Sequence, residues 1–335
     1  MAFFRDDGRM QTTPHEPSQP AANGFDAVII GGGAAGLSAA QALGRSLRRT
    51  LVIDSGEPRN RFAGHMHNVL GLDGTPPGEL IARGRAEAEA YGVEFAVGLV
   101  SAVREGKNGL VLDVEGRAGG APTTIRTRAL VVATGVVDVL PDIPGLAAHW
   151  GSSVLHCPYC HGWEVRGQRL AVIATSPASL HQAKLLRQWT DSLTVFSAGL
   201  GELDAAVERE LSARGVALVP AAVTEVVGGA AGLAGVRTSD GALHNIDAVF
   251  TAATMTPRDE FLAGLGLERT DAPFGSFLAV DPMGNTSHPR VWAIGNIVNP
   301  MATVPIAMGA GAQAGAAVNY ALVEEDFGLA AEGTR

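Results

Sequence analysis

A short apolar run, Phe25-Asp26-Ala27-Val28-Ile29-Ile30, enters the turn Gly31-Gly32-Gly33-Ala34-Ala35-Gly36, and this junction constrains the fold more than any other stretch. The β-branched run predicts a buried strand, and the small residues continuing to Ala40 predict a helix packed closely on it. A second strand, Thr50-Leu51-Val52-Ile53, ends in Asp54. Glycines at Gly31, Gly33 and Gly36 give the G-x-G-x-x-G spacing that lets a loop turn tightly and bring backbone N–H groups against a pyrophosphate at the positive end of a helix. Asp54 stands where an acidic residue receives ribose hydroxyls. Alone the glycine pattern is weak, and a ligand-free glycine turn is its bland reading. Strand, helix and acid in the right order make it a dinucleotide site.

The second half repeats the unit. Gln168-Arg169-Leu170-Ala171-Val172-Ile173 reads as another first strand, a helix follows at 179–189, and Leu193-Thr194-Val195-Phe196 as the next strand. The duplication predicts an α/β fold with two Rossmann-like, three-layer domains. Between them lie a helix at 77–91, strands at 93–104 and 109–115, and Ala129-Leu130-Val131-Val132 running into Ala133-Thr134-Gly135. Pro141 and Pro144 mark a crossing, strands at 216–227, 232–238 and 246–251 complete the second domain, and a strand at 290–296 returns to the first. A Gly/Ala-rich helix at 306–322 closes the chain. The expected division is a discontinuous first domain, 24–142 and 273–330, around a second, 143–272, with 1–23 a mobile tail carrying Pro14, Pro17 and Pro20.

Composition excludes several classes. A net charge of −9 with no basic block argues against a nucleic-acid partner. Arg5, Asp6 and Asp7 interrupt the apolar start, so it does not read as a signal peptide, and no apolar run approaches the length of a membrane span.

Cys157 and Cys160 are the only cysteines in 335 residues, within Leu155-His156-Cys157-Pro158-Tyr159-Cys160-His161-Gly162-Trp163-Glu164-Val165. A pair three apart closes a small disulfide, and its thiols can be tuned toward thiolate. A zinc site needs two further ligands, and His156 and His161 flank the pair too closely for good tetrahedral geometry. A staple over so short a loop removes little chain entropy. Redox chemistry is the expected role, no metal site is expected, and one reversible pair fits a cytoplasmic location.

The fingerprint, Ala133-Thr134-Gly135, Cys157-Pro158-Tyr159-Cys160 inside a second βαβ unit, and Ala293-Ile294-Gly295-Asn296, in this order, resemble low-molecular-weight thioredoxin reductases from residue 24 to about 325. The fuller Cys-Pro-Tyr-Cys-His-Gly-Trp-Glu, with His65-Met66-His67-Asn68 upstream, is similar to one subgroup, the flavin-dependent dithiol oxidases of the gliotoxin and holomycin type. The resemblance implies FAD on the first domain, contacted by Gly31, Gly33, Ala34, Ala35, Gly36, Asp54, Ser55, Arg59, Asn60, His67, Asn68, Val103, Ala133, Thr134, Gly135, Gly295, Asn296 and Val304. It further implies that Cys157 is the outer thiol that meets substrate and Cys160 the one against the flavin. His161 stands where the reductases carry an acid, and an imidazole there can accept and return a thiol proton, against the plainer role of capping the turn. His156 reads as structural, and Tyr159 and Trp163 as packing, with the lining of a small-dithiol pocket as their second reading.

The departures are informative. After Ile173 the loop reads Ala174-Thr175-Ser176-Pro177-Ala178-Ser179, so the three fingerprint positions hold Ala174, Ser176 and Ser179. Cβ atoms there crowd a pyrophosphate, Pro177 removes a donor, and no basic residue between Arg187 and Arg209 could pair with a 2′-phosphate. Asn296 replaces the reductases' Asp. The expectation is a homodimeric enzyme that oxidises a small dithiol, or a thioredoxin-like protein, with oxygen as acceptor and without NADPH. A disulfide reductase fed by NADPH, ferredoxin or another donor is the alternative, and a flavin-binding redox sensor a third reading.

Overall fold

The structure is a computed structural model describing residues 24–116, 122–229, 232–272 and 275–333; the tail expected at 1–23 lies outside the described residues. β1 (Phe25–Ile30) leads through the glycine turn into α1 (Ala34–Arg45) and back to β2 (Thr50–Asp54), parallel to β1. After α2 (Pro77–Ala90) come three long strands, β3 (Glu94–Gly106), β4 (Gly109–Gly116) and β5 (Thr123–Val132). β3 and β5 each do two jobs. The start of β3 is parallel to β2 and its remainder antiparallel to β4, while β5 leaves β4 to run parallel to β1. A bulge between Val100 and Ala102 marks where β3 changes course.

Alternation explains the apolar run in β1, because both of its faces are covered. Ala27 and Ile29 pack with Val52, Val131 and the helices, whereas Val28 and Ile30 pack with Ile53, Leu112 and Val132 under the antiparallel strands. The result is three layers.

β6 (Val136–Val139) then carries the chain out of the first domain. The second domain comprises β7 (Val154–Leu155), α3 (Pro158–His161), β8 (Leu170–Ile173), α4 (Ala178–Leu186), β9 (Leu193–Phe196), α5 (Ala205–Ala213), β10 (Ala217–Val219), β11 (Val223–Gly229), β12 (Gly232–Thr238), β13 (Leu243–His244) and β14 (Ala248–Thr251). Its sheet is parallel in the order β10-β9-β8-β14-β7, with β11, β12 and β13 a separate antiparallel sheet. One strand expected over 216–227 is thus two, in different sheets, divided around Pro220, which has no N–H for a ladder. The stretch around the cysteines, expected as a loop, contains the one-turn helix α3.

β15 (Thr254–Pro257) returns antiparallel to β6, and after the hairpin β16 (Arg269–Ala272) and β17 (Gly275–Leu278), β18 (Val291–Ala293) joins the first sheet beside β5. The closing helix α6 (Val304–Gly333) is longer than expected, and is long and apolar enough to cross a membrane by length and composition, contrary to the reading that no run approaches that length. Part of its small-residue face packs on α1 instead. A Cβ on Gly315 would lie 2.7 Å from the Ala42 Cβ, and one on Gly311 would strike the Ala35 carbonyl. Ion pairs from Arg128 to Asp26 and Glu325, and from Arg290 to Glu325, fasten its far end to the sheet.

Candidate active site

The three fingerprint glycines have three different jobs. Gly31 has φ +105°, and a Cβ there would run into the Ala133 carbonyl. A Cβ on Gly36 would run into the Gly31 carbonyl. Gly33 has nothing within 4 Å of its missing Cβ, because it faces a cavity. As N-cap of α1 it offers no side-chain cap, which leaves first-turn N–H groups for a ligand. The Asp54 carboxylate fixes the turn, accepting from the Gly32 N–H at 3.0 Å and the Gly56 N–H at 3.1 Å.

The cavity measures about 1730 Å³ and is continuous from this cradle to the cysteines. Gly31, Gly33, Ala34, Ala35, Asp54, Ser55, Arg59, Asn60, His67, Asn68, Ala133, Thr134, Gly135, Gly295, Asn296 and Val304 line it together with Cys157, Cys160 and His161. Two expected contacts do not reach it. Gly36 serves helix–strand packing, and Val103 is buried in the core with Leu110 and Leu112. The bulge after Val100 shifts the alternation of β3, so Val103 faces the same core as Val100, and of the two only Val100 also borders the cavity.

Two lining residues are tied to protein. The Arg59 guanidinium binds the Asp138 carboxylate through two bonds of 2.7 and 2.6 Å and donates to the Pro300 carbonyl at 2.9 Å. Asn296 Nδ2 donates toward the carbonyls of Asn299, Pro300 and Ala302 at 3.0, 3.3 and 3.0 Å, which explains an amide here: a carboxylate has no hydrogen to give. An uncapped helix start, a glycine opening on empty space and a cavity above the usual small-ligand range fit a bound dinucleotide.

At the other end, Cys157 is the N-cap of α3, Pro158 takes the first helical position, and a Cys157–Cys160 disulfide spans a Cα–Cα distance of 5.2 Å. The Cys157 Sγ accepts the Cys160 N–H at 3.2 Å. His161 is half-buried, and burial lowers its pKa; Glu164 pulls it up, while His67 and His156 push it down. Burial, then Arg59, lowers His156, against Asp138 and a hydrogen bond to the Thr251 backbone. Both imidazoles are therefore neutral at neutral pH and able to take a proton.

Sequence reasoning missed several participants. Gln182 on α4 lines the cavity, donates to the His156 carbonyl at 2.6 Å and leaves its Oε1 buried without a partner, as is His156 Nδ1. No local pattern announces such a glutamine. Glu164 was in plain view in the cysteine motif but had no role until the fold placed it 3.4 Å from His67.

The second fingerprint loop is filled from within. The buried Ser179 hydroxyl accepts from the Thr175 and Ser176 N–H groups at 3.1 and 3.5 Å, the donors that a phosphate would seek. Arg187 is engaged by the carbonyls of Arg214 and Thr190.

A sequence model described as "Pyridine nucleotide-disulphide oxidoreductase" matches residues 25–311. The chain is 33% identical over 322 residues to "Thioredoxin reductase sirT" of Leptosphaeria maculans, covering 90% of this chain and 96% of that one. It is 34% identical over 307 residues to "Thioredoxin reductase tcpT" of Claviceps purpurea, covering 88% and 92%. Among solved structures, that of HlmI superposes with a TM-score of 0.86 at 43% identity, covering 92% of this chain and 96% of HlmI. Thioredoxin reductase-like proteins of this kind are FAD-dependent flavoproteins. With the family match spanning most of its length, the chain belongs to the pyridine nucleotide–disulphide oxidoreductase family.

Proposed function

We propose that this disulfide oxidoreductase is a dithiol oxidase that works without NADPH. One observation carries the reading: an open dinucleotide cradle shares a cavity with the Cys157–Cys160 disulfide, while the second nucleotide loop is occupied by its own Ser179 hydroxyl. Among the cavity-lining residues, Gly31, Gly33, Ala34, Ala35 and Asp54 would lead in holding FAD. The module of 24–142 with 273–330 carries the cofactor and 143–272 carries the disulfide.

A substrate thiolate attacks the Cys157 sulfur, the Cys157–Cys160 bond breaks, and Cys160 leaves as thiolate. The second substrate thiol attacks its partner sulfur in the mixed disulfide, releasing the cyclised or bridged product and a Cys157 thiol. His161, neutral and half-buried, accepts the proton of an incoming thiol and returns it to a cysteine. When bound, FAD would supply a two-electron acceptor for the cysteine pair, and with oxygen as the final oxidant the sum would be dithiol plus O₂ giving disulfide plus H₂O₂. A homodimer is also proposed, because α6 exposes Tyr320, Phe327 and Leu329, and a reducing cytoplasm suits the reversible pair.

The test is anaerobic mixing of the loaded enzyme with NADPH, NADH and a panel of dithiols, followed by oxygen uptake and peroxide formation. Dithiols should bleach the flavin and NADPH should not. Faster bleaching by NADPH would establish the second reading, a thioredoxin reductase, which the names of the curated relatives favour.

A further inference from the structure

The redox-active turn is gripped by a loop of the other domain. α3 is a single turn, so helical bonding leaves carbonyls near its end without partners. The Tyr159 carbonyl accepts from Asn68 Nδ2 at 2.9 Å, and His67 Nε2 lies 3.4 Å from Glu164 Oε1, one residue past Trp163. Asn68 and His67 sit in the loop ahead of α2, and that loop is built independently of α3. Met66 and Val69 are buried, and the Met66 N–H and carbonyl pair with the Thr75 carbonyl and the Gly74 N–H, each at 2.9 Å. Asp73 accepts from the Asn68 N–H at 3.0 Å and stands 3.3 Å from His67 Nδ1. Asn68 itself is left-handed, φ +61°, a conformation that asparagine tolerates better than most residues and that is held here by these bonds.

We propose that this loop is an interdomain clasp in which Asn68 is a positioning residue, capping α3 so that the Cys157–Cys160 disulfide stays at the wall of the shared cavity throughout turnover. The inference rests on the reading that the pair exchanges electrons across that cavity. It adds that the two domains need not part for each cycle.

Two variants separate the donor from the loop shape. Asn68→Gly keeps the left-handed backbone free of strain and deletes the amide, whereas Asn68→Asp keeps the side-chain shape and turns an acceptor toward the Tyr159 carbonyl. One net hydrogen bond biases a local equilibrium by roughly two- to tenfold. Hydrogen–deuterium exchange of residues 156–164 should therefore quicken by about that factor in both variants, in FAD-free and FAD-loaded protein alike, with β1 and α1 unchanged. In the loaded enzyme kcat with dithiothreitol should fall with KM held. Unchanged exchange over 156–164 in Asn68→Gly overturns the clasp, as does a KM effect without a kcat effect. A wild-type flavin that NADPH reduces would refute the oxidase reading alone, since exchange in the FAD-free protein reads the clasp whichever donor acts.

Discussion

Gly33 and Gly36 make a paired test of whether the cradle holds a ligand. At Gly33 the backbone has φ −78° and ψ −174°, open to any residue, and no atom lies within 4 Å of a new Cβ. Gly33→Ala should leave the FAD-free protein unharmed, or stabilise it by about 0.4–1 kcal/mol through the unfolded chain. A Cβ on Gly36 meets the Gly31 carbonyl, and Gly36→Ala should cost about 1–3 kcal/mol or more by overpacking. The order reverses for flavin. If a phosphate lies against Gly33, the added methyl imposes a similar 1–3 kcal/mol on the complex alone, roughly a 5- to 150-fold loss of FAD affinity. Urea unfolding of flavin-free protein gives the first quantity and fluorescence titration with FAD the second. Unchanged FAD affinity in Gly33→Ala, or flavin-free destabilisation matching that of Gly36→Ala, would refute the assignment.

If His161 takes the thiol proton, kcat/KM should keep its base-dependent plateau below the ordinary histidine value of 6.5, since burial lowers its pKa, and Glu164→Gln should move the acid limb lower still by removing a charge that raises it; an upward move counts against the role. Burial opposes ionisation of Glu325 and Asp326, yet hydrogen bonds from Arg290, Arg48 and Arg128 outweigh it and hold both pKa values below the ordinary range. Their stabilisation is complete above that range and lost as pH falls through the lowered values, so Glu325→Gln should lose less stability than wild type between about pH 6 and about pH 3, with thermal unfolding as the readout. Asn296→Asp puts a group without a donor against the Asn299, Pro300 and Ala302 carbonyls, and should lose about 1–3 kcal/mol in urea unfolding; an unaltered midpoint would show that the loop does not depend on the amide.

What could be read from residues alone was what local rules decide. Each fingerprint glycine answers to a turn, a close approach or a space, and all three kinds of demand act within a few residues of one strand end. The paired apolar strands announced themselves because a strand covered on both faces has no polar alternation to interrupt it. Val103 lies in the core and not at the cavity because a bulge two residues earlier resets which face a side chain takes, and nothing in a β-branched run marks a bulge. The division around Pro220 was legible in principle, from one missing N–H. The partners of Asn68, Gln182 and Glu164 were not, because they lie in other elements and follow from tertiary packing. Asn68 and Tyr159 are 91 positions apart.

The two halves of the chain show one strand-turn-helix device brought to opposite ends. In both, a buried parallel strand delivers a turn whose N–H groups face outward at a helix start. At Gly33 the turn keeps a space that its own side chains do not enter. At Ser179 a hydroxyl inside the same chain satisfies the Thr175 and Ser176 amides, and a phosphate would have to displace a partner that is always present and already oriented. The second domain nevertheless keeps its core, with Leu170, Val172, Ala183, Leu186 and Phe250 packed together, so its stability does not require a nucleotide. What that sheet still provides is a mount. β7 lies on its edge beside β14, and α3 starts three residues beyond Leu155, which sets the cysteines at the wall of the first domain's cavity. On the proposed reading, a domain whose nucleotide loop is bonded to its own Ser179 serves as the arm that presents the disulfide.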